Sequence, residues 1–113
     1  MHELSLAQNL VDLVEEHRRR DPFVRVASIR LSIGALAHVE VRAFELGFEA
    51  ASRGSAAEGA RLVIERSPGR AHCLTCARDV EITTRGQPCA GCGGEQWLPI
   101  GGDEMRVLEM EVE

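Results

Sequence analysis

The chain has 113 residues, a formal net charge of −5 and an apolar fraction of 44%. That length holds one modest core plus a small accessory lobe, and no apolar run approaches the ~20 residues of a membrane span, so no membrane is expected. The acidic balance speaks against a nucleic-acid partner, because affinity for a phosphate backbone rests largely on cationic contacts.

The sequence opens Met1-His2-Glu3. A bulky second residue predicts that the initiator methionine is retained with a free amine. That amine and the amide nitrogen of His2 can close one small chelate ring on a metal ion. The same amide and the imidazole can close a second. Several nitrogens around one ion favour square-planar Ni(II) or Cu(II). Glu3 adds a carboxylate able to ligate, or to orient the imidazole. A solvated histidine explains His2 taken alone, and only the rest of the chain turns the balance.

From Leu4 to Arg20 the pattern is helical. Leu6, Leu10, Leu13, Val14 and His17 recur at three- and four-residue steps, with Leu4, Ala7 and Val11 widening the stripe. Asp21-Pro22 ends it. A strand is expected over Val24–Ile33, with Ala27, Ile29, Leu31 and Ile33 on its buried face and Val24 and Val26 out of phase, the sign of a late start or a bulge. Gly34 closes that strand. A second helix carries Val41, Phe44, Phe48 and Ala51, with Gly54 at its C′ position. Ser55-Ala56-Ala57-Glu58 has the capping-box pattern of one further short helical turn. Arg61 to Arg66 reads as a second strand, and Ser67-Pro68-Gly69 as a turn or hinge.

Four cysteines follow, the only ones in the chain, as Cys73-Leu74-Thr75-Cys76 and Cys89-Ala90-Gly91-Cys92 with twelve residues between the pairs. Two residues between cysteines let both sulfurs of a tight turn face one point. A second such turn opposite completes a tetrahedron of thiolates, the pattern of a structural Zn(II) ribbon. Two disulfides are the alternative, but the paired spacing and the lack of a signal peptide favour a metal and a reducing cytoplasm. Val80 to Thr84 is expected to form one ribbon strand, with Trp97 covering the lobe. Charged residues from Arg70 to Gly101 cancel, so the ribbon lacks the basic face of a nucleic-acid module. In the tail from Met105 to Glu113, Leu108, Met110 and Val112 alternate with glutamates, predicting a strand that returns to pair with the first two.

The expected fold is therefore α/β (α+β): a small mixed three-stranded sheet with two helices, plus an inserted four-cysteine zinc-ribbon lobe. Residues 1–69 and 102–113 form the first domain and 70–101 the second, with hinges at Ser67–Gly69 and Gly101–Asp103. Glu40, at the start of the second helix, suits the helix N-terminus better than a metal. His38 and His72 read as solvated or satisfied imidazoles. A metal hydrolase is disfavoured, since catalytic zinc takes three protein ligands and an open position and no His/Glu cluster supplies them. A zinc-ribbon nucleic-acid or protein-interaction module is the remaining alternative.

Taken together, Met1-His2-Glu3, the helix after it, Ile33-Gly34, the Ala57-Glu58-Gly59-Ala60 stretch, both cysteine pairs and Glu104-Met105-Arg106 resemble the HypA/HybF family of hydrogenase maturation nickel chaperones along the whole length. Some members place histidines next to the cysteine pairs, near where this chain has Arg78 and Gly93. The resemblance implies a non-enzymatic carrier of Ni(II) with His2 as nickel ligand and the Met1 amine and Glu3 beside it, and with Cys73, Cys76, Cys89 and Cys92 on zinc. It also implies a HypB-type GTPase and a [NiFe]-hydrogenase large-subunit precursor as partners, and leaves room for a homodimer.

Overall fold

The computed structural model describes residues 2–113; Met1, one of the expected nickel ligands, lies outside the described residues. Its elements are α1 (His2–Arg20), β1 (Val26–Gly34), α2 (Val41–Ala51), β2 (Arg61–Ser67), β3 (Gly69–Cys73), β4 (Asp79–Ile82), β5 (Trp97–Gly101) and β6 (Met105–Val112). The strands form two three-stranded sheets, one in the order β2-β1-β6 and the other in the order β4-β3-β5. The fold is thus α+β, with the tail strand paired to β1. The chain divides into two compact units: Met1–Leu31, Val39–Val63 and Val107–Glu113 in the first, Ser32–His38 and Ile64–Arg106 in the second.

In the first unit α1 begins at His2, two residues earlier than the apolar periodicity requires. Its buried face is Glu3, Ala7, Leu10, Val11 and Val14. Leu6 is half-buried, and Leu4, Leu13 and His17 are exposed, so the expected stripe is rotated toward Glu3, Ala7 and Val11. The reason is steric. Ala7 faces Gly47 of α2, where a Cβ would meet the Ala7 Cβ at 3.5 Å, and two small residues let the helix axes approach. α2 buries Phe44 and Phe48 as its spacing predicts. It ends with Ser52 as C-cap, and Gly54 follows with φ +78°. The Ser55–Glu58 stretch is a turn and not a helix; Glu58 reaches back to accept from the Gly54 N–H at 2.7 Å, and Ser55 Oγ accepts from the Ala57 N–H. In β1 the buried residue at the start is Val26, with Ala27 only half-buried, before Ile29, Leu31 and Ile33 resume the alternation. That break in phase is the irregularity expected of Val24 and Val26.

In the second unit β3 pairs antiparallel with β4, from Gly69↔Ile82 to His72↔Asp79, and with β5, from Arg70↔Gly101 to Cys73↔Trp97, with a bulge between Arg70 and Ala71. Only β4 matches an expected strand. β3 does alternate, but its buried side is Gly69, Ala71 and Cys73, too small to give a hydrophobic period. The core here is Leu36, Ala71 and Ile82, flanked by Val80 and Trp97. Trp97 donates its indole N–H to the Gln87 carbonyl at 2.8 Å, while the Gln87 side-chain oxygen gathers the Thr83 and Thr84 N–H groups.

Leu36 enters this core from the turn after β1. Arg85 donates Nε and Nη2 to its carbonyl at 3.3 and 3.0 Å. Beside it three backbone segments touch without side chains between them. A methyl on Gly34 would overlap the Gly102 carbonyl, one on Gly102 the Pro68 carbonyl, and one on Gly69 the Ile82 carbonyl and the Leu36 side chain. The Gly34, Ala35 and Leu36 N–H groups bond the carbonyls of Glu104, Ser67 and Gly102.

Candidate metal centre

The two cysteine pairs fold as near-copies of one turn. In the first, Ala77 N–H donates to the Cys73 carbonyl and Cys73 N–H to the Arg78 carbonyl, both at 2.9 Å. In the second, Gly93 N–H donates to the Cys89 carbonyl at 2.7 Å and Cys89 N–H to the Gly94 carbonyl at 2.8 Å. Ala77 and Gly93 are therefore equivalent, and both take a left-handed conformation, φ +59° and +75°. Arg78 is the equivalent of Gly94.

This geometry turns four sulfurs to one point, with every ligand atom within 4.8 Å of the others. Cys73 and Cys92 Sγ are 3.6 Å apart, Cys76 and Cys89 Sγ 3.9 Å. A tetrahedron with metal–sulfur bonds of about 2.3 Å has edges of roughly 3.8 Å. Backbone N–H groups also point at sulfur: Cys76 on Cys73 at 3.5 Å, Gly91 on Cys89 at 3.3 Å, Gly94 on Cys92 at 3.4 Å. Cys73 and Cys89 are buried, Cys76 is half-buried and Cys92 is exposed.

The sulfurs do not share charge evenly. The Cys76 N–H holds the Cys73 thiol down to about 6. At Cys92 the Gly94 N–H favours the thiolate, yet the neighbouring sulfur of Cys73 and then those of Cys76 and Cys89 push it up to about 11. Four thiolates this close repel, and a dipositive ion among them removes the repulsion. Distances, donors and charge all fit a structural zinc site with four thiolates and no open position. Among the described residues it is the one group of three or more His, Cys, Asp or Glu side chains arranged to hold an ion.

At the other end of the chain, His2 and Glu3 occupy the first turn of α1. His2 is half exposed, and its Nδ1 lies 3.3 Å from Glu3 Oε2. Glu3 is buried, and the same oxygen accepts the Glu40 N–H at 3.2 Å. The Glu40 carboxylate is itself the N-cap of α2, accepting from the Arg42 and Ala43 N–H groups. The sequence singled out both glutamates but not the backbone bond between them. A signal existed in the α1 spacing: Glu3 stands four residues before Ala7, on the buried face. His38 is exposed with φ +55°. His72 is half-buried on β3, its Nδ1 paired with Asp79 Oδ1 at 2.8 Å. Neither histidine joins the sulfur cluster.

The family described as hydrogenase/urease nickel incorporation, metallochaperone, hypA, matches residues 1–112. A hydrogenase maturation factor HypA of Cereibacter sphaeroides is 48% identical over 113 residues, covering 100% of both chains. Its counterpart in Polaromonas naphthalenivorans is 46% identical over 112 residues, covering 99% of this chain and 97% of that one. The solution structure of the Ni metallochaperone HypA from Helicobacter pylori shares the fold, with a TM-score of 0.73 at 24% identity over 99% of this chain and 97% of that chain.

Proposed function

The chain belongs to the HypA family of nickel-incorporation metallochaperones, and from that premise we propose that it is a non-enzymatic carrier that takes up Ni(II) at Met1, His2 and Glu3 and delivers it for maturation of a [NiFe]-hydrogenase. The observation that carries the reading is the His2–Glu3 pair at the start of α1. Its two donor atoms, 3.3 Å apart, are close enough to take neighbouring positions on one ion with bonds of about 2 Å. Nδ1 is also the ring nitrogen that closes a chelate ring with the amide of its own residue. That amide is available, because the first N–H groups of a helix have no intrahelical partner. The Glu40 N–H fixes the Glu3 carboxylate facing the imidazole.

Release follows from the same ligands. Amine and imidazole bind nickel only when deprotonated, so proton uptake competes with the metal and favours transfer. The cysteine cluster holds Zn(II) as a structural ion. In the division of labour we propose, residues 1–69 with 102–113 carry nickel and residues 70–101 form the zinc lobe. A HypB-type GTPase and a hydrogenase large-subunit precursor act as partners in the cytoplasm, with or without a homodimer.

An N-terminal extension several residues long, which converts the Met1 amine to an amide, is the direct test. The extension and His2→Ala should each abolish specific nickel binding in calorimetric titration while zinc content and helical signal stay unchanged. Native nickel affinity in the extended protein would move the ligands elsewhere, to His38 or His72 with Glu40.

A further inference from the structure

We propose that Arg78 is a positioning residue for the zinc–thiolate cluster: its guanidinium is a counter-charge lying over the second cysteine turn, in a space that Gly91 leaves open by having no side chain. Arg78 Nη2 lies 3.1 Å, and its Cζ 3.6 Å, from where a Cβ on Gly91 would stand, and Cys89 Sγ is 3.7 Å from the same point. The guanidinium therefore lies over the turn of the second cysteine pair although it belongs to the first. Arg78 makes no ion pair with a carboxylate among the described residues; its neighbour Asp79 is taken by His72. Its charge has the sulfurs as partner.

The electrostatics agree with that geometry. Four thiolates around a dipositive ion carry two net negative charges. The exposed Arg78 guanidinium, lying over the second turn, offsets part of that charge. The equivalent position in the second turn is Gly94, which brings no charge.

This proposal rests on the zinc assignment and is independent of the nickel ligands. The test measures zinc affinity of the full chain by competition with a chromophoric chelator. Arg78→Gln should weaken zinc binding about 10-fold, at the low end of what outer-sphere partners contribute, and Arg78→Lys should recover much of the loss. Gly91 does not need a left-handed conformation, so Gly91→Ala is tolerated by the backbone and acts by pushing the guanidinium aside. It should reproduce most of the Arg78→Gln loss and add nothing to it in the double variant. The gap between wild type and Arg78→Gln should also narrow as salt is raised. Wild-type affinity in Arg78→Gln, additive losses in the double variant, or a gap that ignores salt would each overturn the proposal. Wild-type protein lacking stoichiometric zinc would overturn the zinc assignment with it.

Discussion

Ala77 takes φ +59°, a conformation that costs an L-residue roughly 1–2 kcal/mol. Its counterpart in the second cysteine turn is Gly93, for which the same conformation carries no steric cost. The strain is local and the fold already contains its remedy. Ala77→Gly should relieve it, less the roughly 0.5–1 kcal/mol by which a glycine raises unfolded-chain entropy. The net expectation is tighter zinc binding by up to about 1 kcal/mol, read by chelator competition. Weaker binding in the variant would mean that the Ala77 methyl supports the turn. Single residues were also where the sequence was most informative. The spacing of Cys73, Cys76, Cys89 and Cys92 is local chemistry, fixed by how far a tight turn can carry a sulfur, and it was legible without any fold. The niche for Arg78 was not, since it depends on two turns meeting across the cluster.

Elements were legible in kind and less so in phase. Periodicity located α1 and α2, because apolar residues at three- and four-residue steps allow little else. It misjudged which side of α1 is innermost, since leucines outweigh alanine in any hydrophobic count. Packing chose Ala7 over Leu4 and Leu13 because the facing residue is Gly47. That contact makes a prediction. A Cβ at Gly47 would meet Ala7 and Leu4 atoms at 3.5 Å or more, ordinary van der Waals separation. Gly47→Ala should therefore gain most of the helix-propensity difference of about 0.8–1.0 kcal/mol and raise Tm by a few degrees. A lower Tm would show that the two helices are already at closest approach. The short strands β3 and β5 escaped the sequence reading for a related reason: β3 buries glycine, alanine and cysteine, and β5 leaves Leu98 and Ile100 half exposed.

Across the whole molecule the two units draw on different sources of stability. The first buries Leu10, Val11, Val14, Ile29, Leu31, Phe44 and Phe48 around its helices. The sulfur-bearing unit has a core of Leu36, Ala71 and Ile82. Leu36 and Ile82 contribute roughly 1.5–3 kcal/mol each and the Ala71 methyl less, against about 1–2 kcal/mol of backbone entropy for every residue ordered. A metal term of roughly 10–16 kcal/mol decides the outcome. Cys73→Ala should lose zinc and the dispersed amide signals of residues 70–101, while helical circular dichroism persists. One tightly bound zinc per chain in that variant would refute the four-cysteine assignment. That Leu36, far from the cysteines in sequence, completes this core was not legible, because nothing local to Ala35–His38 distinguishes a buried turn from a solvated one.

The bare backbone contact at Gly34, Gly69 and Gly102 bears on how genetic data for this protein will read. In a saturation mutagenesis screen scored by hydrogenase output, these three glycines should tolerate almost nothing, as His2 and the cysteines should. They would rank beside the proposed metal ligands for a different reason, because any side chain there collides with a carbonyl. Rank alone would then draw a third functional site where there is only a crossing of chains. Measuring soluble protein level alongside output separates the two: the glycine variants should be missing from the cell, and His2 variants present and idle.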